Sequence, residues 1–252
     1  MKKLLLLFTL LISINCLGQV PGYVPTDSLV GWWPFNGNAN DESVNGNDGT
    51  VNGATLTTDR FGNANAAYDF DGVDDYIEII DDPSIKPLNA ISISGWANLS
   101  SNETSNFPRF VNKNHNQAQN YGSYQIIGGH YGYDSIGYSA MGTRTTTIYT
   151  WTGHGGSSEI LDDWFFFVGV YDGTQMRYYI NGILVKTKAQ TGSLVYNTEN
   201  LTFAGNYLNG IGTPDFTQCF LDDIGIWNRA LSQCEISALY YAQQLNSPSV
   251  SF

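Results

Sequence analysis

Five oxygen-bearing side chains fall where a hard cation could be held. Asn36, Asp41 and Asn45 crowd one Gly/Asn-rich stretch, and Asp222-Asp223 opens a strand-like run far along the chain. Calcium takes six to eight oxygens at about 2.3–2.6 Å from carboxylates, amides and backbone carbonyls, and a loop of this composition presents them readily. A structural calcium held by Asn36, Asp41, Asn45, Asp222 and Asp223 is therefore one expectation. The alternative is that Asp41 and Asn45 close side-chain turns while Asp222 and Asp223 bond backbone amides at a sheet rim. A second acidic group, Asp69, Asp71, Asp74 and Asp75, departs from the calcium-loop pattern, with Val73 at its fifth position and no glutamate at its twelfth, and reads as a hairpin turn.

Sugar binding needs exposed aromatic faces for stacking, with amides or carboxylates for the hydroxyls. Between Asn114 and Glu159 the chain sets aromatic and imidazole side chains among Gly, Asn, Ser and Thr, and His130, Tyr131, Tyr133, Trp151 and His154 are the candidate ligand contacts. The competing reading has Tyr133 and Tyr138 filling a sheet interior and Trp151 plugging a loop. Trp32 or Trp33, Trp96, Trp164 and Trp227 lie in strand-like runs where alternation predicts burial. Catalytic constellations are not legible. Glu42, Glu78, Glu103, Glu159, Glu199 and Glu235 stand isolated, without the paired carboxylates of glycoside hydrolysis. No Gly-x-Ser-x-Gly elbow occurs, and the histidines lack zinc-ligand spacing. A non-enzymatic chain is expected.

The elements that position these residues are strands. The 252 residues are 14% aromatic and 13% charged, too aromatic for disorder and, beyond the first fifteen residues, too poor in Ala, Glu, Lys and Leu for a helix bundle. Strand-like runs recur at Val30–Phe35, Ala66–Phe70, Tyr76–Ile80, Ala90–Leu99, Arg109–Lys113, Tyr121–Ile127, Thr145–Tyr149, Trp164–Tyr171, Gln175–Ile180, Ile183–Thr187, Leu201–Ala204 and Phe220–Trp227. Turn signals separate them: Asn181-Gly182 marks a tight hairpin, and Asp71-Gly72 and Asp172-Gly173 link antiparallel neighbours. The pattern predicts an all-β sandwich. One helix is expected at the end, where Ser232 and Glu235 match a capping box and Ile236, Leu239 and Tyr240 share an apolar face of one or two turns.

Lys2-Lys3, the apolar run Leu4–Ile14 and the small-residue exit near Gly18 read as a secretory signal peptide over residues 1–18, too short to span a bilayer core. A lipoprotein attachment at Cys16 is the alternative to ordinary cleavage. Residues 19–28 form a lead, 29–245 one domain and 246–252 a frayed tail. Cys219 and Cys234 then remain in a compartment that permits disulfides, and a bridge between them would stabilise by ~3 kcal/mol in the chain-entropy model; two buried free thiols are the alternative. The net charge of −12, with only eleven scattered Lys and Arg, disfavours nucleic acid and anionic lipid as partners, and no later stretch reads as a transmembrane segment.

Several residue combinations then resemble one family, in order. They are Leu29-Val30-Gly31-Trp32-Trp33-Pro34-Phe35-Asn36-Gly37-Asn38-Ala39-Asn40-Asp41 with Asn45-Gly46-Asn47-Asp48-Gly49-Thr50; Tyr68-Asp69-Phe70-Asp71-Gly72-Val73-Asp74-Asp75-Tyr76-Ile77; Ile91-Ser92-Ile93-Ser94-Gly95-Trp96; Trp164 to Gly173 with Tyr179-Ile180-Asn181-Gly182; and Leu221-Asp222-Asp223-Ile224-Gly225-Ile226-Trp227-Asn228-Arg229-Ala230-Leu231-Ser232. Together they resemble the laminin G-like jelly-roll domains of secreted bacterial proteins. The resemblance implies a concanavalin A-like jelly roll of two antiparallel sheets that binds and does not catalyse. The catalytic members carry Glu-x-Asp-x-x-Glu on one strand, which this chain lacks. The expected function is a secreted or cell-surface carbohydrate-binding module; the alternatives are an adhesion or matrix component binding protein partners and, after it, a glycoside hydrolase.

Overall fold

Period-two alternation becomes two stacked antiparallel sheets. The computed structural model describes residues 19–103, 108–116, 121–128, 139–146, 148–154, 161–206 and 215–245. The larger sheet contains β1 (Leu29–Trp33), β3 (Thr55–Thr57), β4 (Ala67–Asp71), β6 (Ile91–Leu99), β11 (Trp164–Tyr171), β12 (Gln175–Ile180), β13 (Ile183–Ala189) and β17 (Gln218–Trp227). The second contains β2 (Thr50–Asn52), β5 (Tyr76–Ile79), β7 (Arg109–Asn116), β8 (Tyr121–Ile127), β9 (Ser139–Arg144), β10 (Tyr149–His154) and β14 (Leu201–Phe203), while β15 (Gly205–Asn206) and β16 (Asp215–Phe216) form a small ribbon. The order in the larger sheet is β13-β12-β11-β6-β17-β4-β3, with β1 also on β17; in the second it is β10-β9-β8-β7-β14-β5-β2. The Asn181-Gly182 turn between β12 and β13 has φ of 49° and 76°, the paired positive values that a tight hairpin requires.

Two apolar layers hold this arrangement. Phe70, Ile93, Phe110, Ile126, Phe167 and Phe203 interleave between the sheets, and a second cluster of Trp32, Trp96, Phe166, Val168, Trp227 and Leu239 covers the other face of the larger sheet. That sheet is therefore buried on both sides, which explains why neighbours Trp32 and Trp33 are both at 0% exposure. Trp96 and Trp227 are buried as alternation predicts, and Trp164 is half-buried.

The outer layer is completed by helix α1 (Gln233–Leu245), three and a half turns long where the sequence suggested one or two. Its start is the expected capping box. The Glu235 backbone N–H donates to Ser232 Oγ at 3.3 Å, and the Ser232 N–H donates to Glu235 Oε2 at 2.8 Å. The Arg229 hydrogen bond, opposed by burial, holds the Glu235 carboxyl down at about 2. Glu235→Gln is expected to cost about 1 kcal/mol at neutral pH, as lost caps do. Because the folded value is depressed, this stabilisation is present above the unfolded carboxylate value and fades as pH falls toward 2, a slope the variant should lack in pH-dependent melts.

Two expectations are corrected here. Thr145–Tyr149 is not one strand: Tyr149 begins β10, while Thr145 and Ile148 stand where β9 turns toward it, linked by the Thr145 N–H to the Ile148 carbonyl at 2.9 Å and by Thr145 Oγ1, and Thr147 lies outside the described residues. Thr145 and Thr146 follow β9 at this bend, while Gly142 and Gly153 lie inside β9 and β10. Nor do Cys219 and Cys234 form a disulfide; both are free thiols. Cys219 faces the layer between the sheets, whereas exposed Cys234 starts a helix packed on the opposite face of the same sheet, so the sheet itself separates them. Among the described residues no helix is long and apolar enough to cross a membrane.

Candidate functional site

The β1–β17 pairing does bring the expected cation residues to one region, since Glu42 feels both Asp41 and Asp223: its carboxyl is raised first by burial, then by these two charges. Asn36 aside, their carboxylates and amides are engaged by protein groups. Asp41 Oδ1 accepts the N–H groups of Trp32 at 2.9 Å and Ser43 at 2.8 Å, while Oδ2 accepts Ser43 Oγ and the Asn47 N–H, both at 2.8 Å. Each Asp41 oxygen thus accepts two hydrogen bonds. Asn45 turns its donor end inward, its Nδ2 donating to the carbonyls of Leu29 and Val30, and Asn36 is exposed.

Asp222 and Asp223 are occupied by a residue sequence reasoning passed over, Arg60. Its Nη1 pairs with Asp222 and its Nη2 with Asp223 at 2.9 Å, while the guanidinium lies 4.4 Å from the ring centre of Trp96 and 4.6 Å from that of Phe61. The helix joins this clasp: Gln243 Oε1 accepts Trp96 Nε1 at 2.8 Å, and Gln243 Nε2 donates to Asp223 at 3.3 Å. Asp223, at φ 50°, lies in a bulge of β17 between Asp222 and Gly225. The cation that neutralises this cluster is thus a guanidinium already in place. The one legible signal was an arginine in Asp59-Arg60-Phe61-Gly62 within a chain short of cations.

Asp71, Asp74 and Asp75 present oxygens within 4.8 Å of one another, the only such group of three among the described residues. As the turn reading expects, two of them serve backbone amides: Asp71 Oδ1 accepts the Val73 N–H at 2.7 Å, and Asp75 Oδ2 accepts the Asp71 N–H at 3.0 Å.

The aromatic candidates divide. His130, Tyr131 and Tyr133 lie outside the described residues, and His154 ends β10 opposite Ser139. Trp151 is half-buried on β10, facing away from the inter-sheet core. Register builds a site around it. Gln125 on β8 pairs with Gly142 on β9, and Gly142 with Trp151 on β10, so the three form one cross-strand row on the outer face of the seven-stranded sheet. Gly142 is needed there: a Cβ would stand 2.5 Å from both the Trp151 ring and the Tyr149 hydroxyl. Tyr149 and Trp151 meet edge to face, centroids 5.1 Å apart at 88°. Gln125 Nε2 donates to the Tyr149 hydroxyl, and Gln125 Oε1 accepts Arg109 Nε at 3.3 Å. Arg109, at 2% exposure, pairs with Asp215 at 3.1 Å; burial pulls its pKa down and Asp215 pushes it back. The same face continues through Asn112, Thr202 and Glu78, with Glu78 accepting Asn200 Nδ2 at 2.8 Å. Chemically this is an aromatic platform beside a row of fixed amide, hydroxyl and guanidinium groups.

A family model described as "Concanavalin A-like lectin/glucanases superfamily" matches residues 70–237. The chain belongs to this superfamily. Solved structures agree on the concanavalin A-like fold. The receptor binding domain of botulinum neurotoxin C/D mosaic serotype is 17% identical with a TM-score of 0.65, covering 88% of this chain and 52% of that one. The binding domain of Paraclostridial Mosquitocidal Protein 1 is 15% identical with a TM-score of 0.67, covering 86% and 53%. The ligand binding domain of botulinum neurotoxin serotype D in complex with N-acetylneuraminic acid is 18% identical with a TM-score of 0.65, covering 87% and 52%. The chain thus spans about half the length of these solved chains. No curated protein sequence matches it. Within the concanavalin A-like fold, the jelly-roll sandwich expected from the sequence is what the strands form.

Proposed function

We propose that this concanavalin A-like domain is an exported, non-catalytic carbohydrate-binding module whose ligand lies along the outer face of the seven-stranded sheet. The observation that carries the reading is the Trp151–Tyr149 pair set over Gly142 beside the Arg109–Gln125 network. Rings supply apolar faces for sugar C–H groups, and the buried Arg109–Gln125 network holds the Tyr149 hydroxyl in place. A neighbour of the same fold, the serotype D ligand binding domain, carries N-acetylneuraminic acid in its structure, which supports a sugar as ligand class. The leader-like residues 1–18 and the usual extracellular setting of laminin G-like domains support export. The acidic groups on the face support binding over hydrolysis, since Asp215 is engaged by Arg109 and Glu78 by Asn200.

The test is a broad glycan array probed with wild type, Trp151→Ala and Gly142→Val. A glycan retained by wild type is expected to lose tenfold or more in affinity with either variant, the scale of an aromatic anchor worth ~2 kcal/mol. Hits insensitive to both variants would move the ligand off this face, and a blank array would favour protein-mediated adhesion.

A further inference from the structure

Most cations of this acidic chain are spoken for. Arg60, Lys86, Arg109, Lys113, Arg177 and Arg229 each contact a carboxylate. Among the described residues Arg144, Lys186 and Lys188 have no ion pair. The two lysines are exposed on edge strand β13, where water serves them. Arg144 is different: it is half-buried at the end of β9, and its Nε is shut off from solvent with no hydrogen-bond partner.

A second orphan stands beside it. The register that pairs Tyr124 with Thr143 places Ser123 across from Arg144, and Arg144 is itself paired with Tyr149. Alternation puts Ser123, Arg144 and Tyr149 in the cross-strand row next to Gln125, Gly142 and Trp151, on the same outer face. Ser123 is at 0% exposure, and its Oγ has no hydrogen-bond partner. Buried polar atoms are nearly always satisfied; Trp32 Nε1, Arg60 Nε, Ser94 Oγ and Thr152 Oγ1 are orphaned as well, but Ser123 and Arg144 alone share a cross-strand row beside the aromatic platform.

The chemistry of the pair specifies the ligand group that would satisfy it. A guanidinium donates only, in a fixed fork, and carries its charge at every physiological pH, while the serine hydroxyl can donate beside it. A neutral sugar hydroxyl would satisfy the serine and leave the charge uncompensated. A carboxylate answers both, accepting in the plane of the fork. We infer that Ser123 and Arg144 form an anion subsite that selects glycans bearing a carboxylate, as uronates and sialates do, at the Tyr149 end of the platform. This rests on the glycan reading above and adds the sign of the ligand's charge.

The experiment uses an array on which each uronate- or sialate-bearing glycan is printed beside its carboxyl methyl ester, the same skeleton without the charge. Wild type is expected to prefer the free acid by about tenfold or more, the value of a charge-assisted hydrogen bond. Arg144→Gln should abolish the preference without touching ester binding, Ser123→Ala should reduce it several-fold, and Arg144→Lys should retain part of it. Lys186→Gln/Lys188→Gln, which removes more charge from a solvated edge, should leave it intact. Should Arg144→Gln fail to fold in a melt, Arg144→Lys and Ser123→Ala carry the same readout. Equal binding of acid and ester through Trp151 would overturn the subsite and leave the glycan reading standing. Preference lost equally in the lysine variant would reduce it to general attraction and also overturn it. An array with no Trp151-dependent ligand would remove the glycan reading and the subsite together.

Discussion

Arg60→Met is expected to lower stability by about 3–5 kcal/mol, because it leaves two buried carboxylates with no cation. For a domain of this size that is a melting temperature ~6–20 °C lower. Asp222 and Asp223 have side-chain exposures of 4% and 12%, and Arg60 is their only cationic partner among the described residues. The guanidinium also holds the loop before β4 against Trp96 and the helix through the Gln243 carbonyl, so packing is lost with the charge. Two carboxylates share one cation, and burial followed by the adjacent Asp223 charge pushes the Asp222 carboxyl well above its ordinary value. With a raised folded value, the contribution is complete below the unfolded value near ~3.9 and is lost as pH rises through the folded one. Asp222→Asn should flatten that decline while keeping the Asp223–Arg60 pair. Urea unfolding at several pH values checks both, and an Arg60→Met protein melting within about 2 °C of wild type would remove the clasp from the account.

Asp81→Asn should cost a similar ~3–5 kcal/mol, by stranding Lys113. The Lys113 side chain is at 0% exposure, and its Nζ meets Asp81 Oδ1 at 2.6 Å and the Glu199 carbonyl. Lys86 meets the other oxygen, also at 2.6 Å, but at 22% exposure. Removing Lys86 should therefore cost no more than ~1 kcal/mol, as solvated pairs do. Lys113→Met should be close to neutral, because it removes the buried charge together with its need for a partner. Burial raises the Asp81 carboxyl, but the hydrogen bonds from Lys113 and Lys86 outweigh it and hold the value low. Wild-type stability from this cluster is accordingly present above the unfolded value near ~3.9 and lost as pH falls through the depressed one. In Asp81→Asn the slope keeps its sign but moves to the alkaline range. Lys113, already lowered by burial, loses its counter-charge, so the variant should regain stability as pH climbs toward ~10.4. A loss in Asp81→Asn no larger than in Lys86→Met would show that Lys113 reaches water.

The two variants differ in how far their partners were readable. Asp222-Asp223 was visible as a pair, but the arginine that pairs with it lies 162 positions from Asp222, beyond the reach of any local spacing. The same holds for Asp41, whose four hydrogen bonds come from backbone and side-chain groups that only the folded loop converges on it.

Sequence alone determined what depends on neighbours a few residues apart: the alternating strands, the Asn181-Gly182 hairpin, the Ser232–Glu235 cap, the buried tryptophans and the aspartate turns. These rest on backbone preference and period, which are local. It also singled out Trp151. Tertiary structure decided everything that depends on register and on which face is covered. The β8-β9-β10 alignment made Gly142 the floor under Trp151 and Tyr149, and set Ser123 against Arg144. The layer packed on the larger sheet buried Trp32 as well as Trp33, and put a sheet between Cys219 and Cys234. A one-residue change of register would move each of these side chains to the opposite face while leaving the local pattern of the sequence unaltered, so no local reading could have chosen between them.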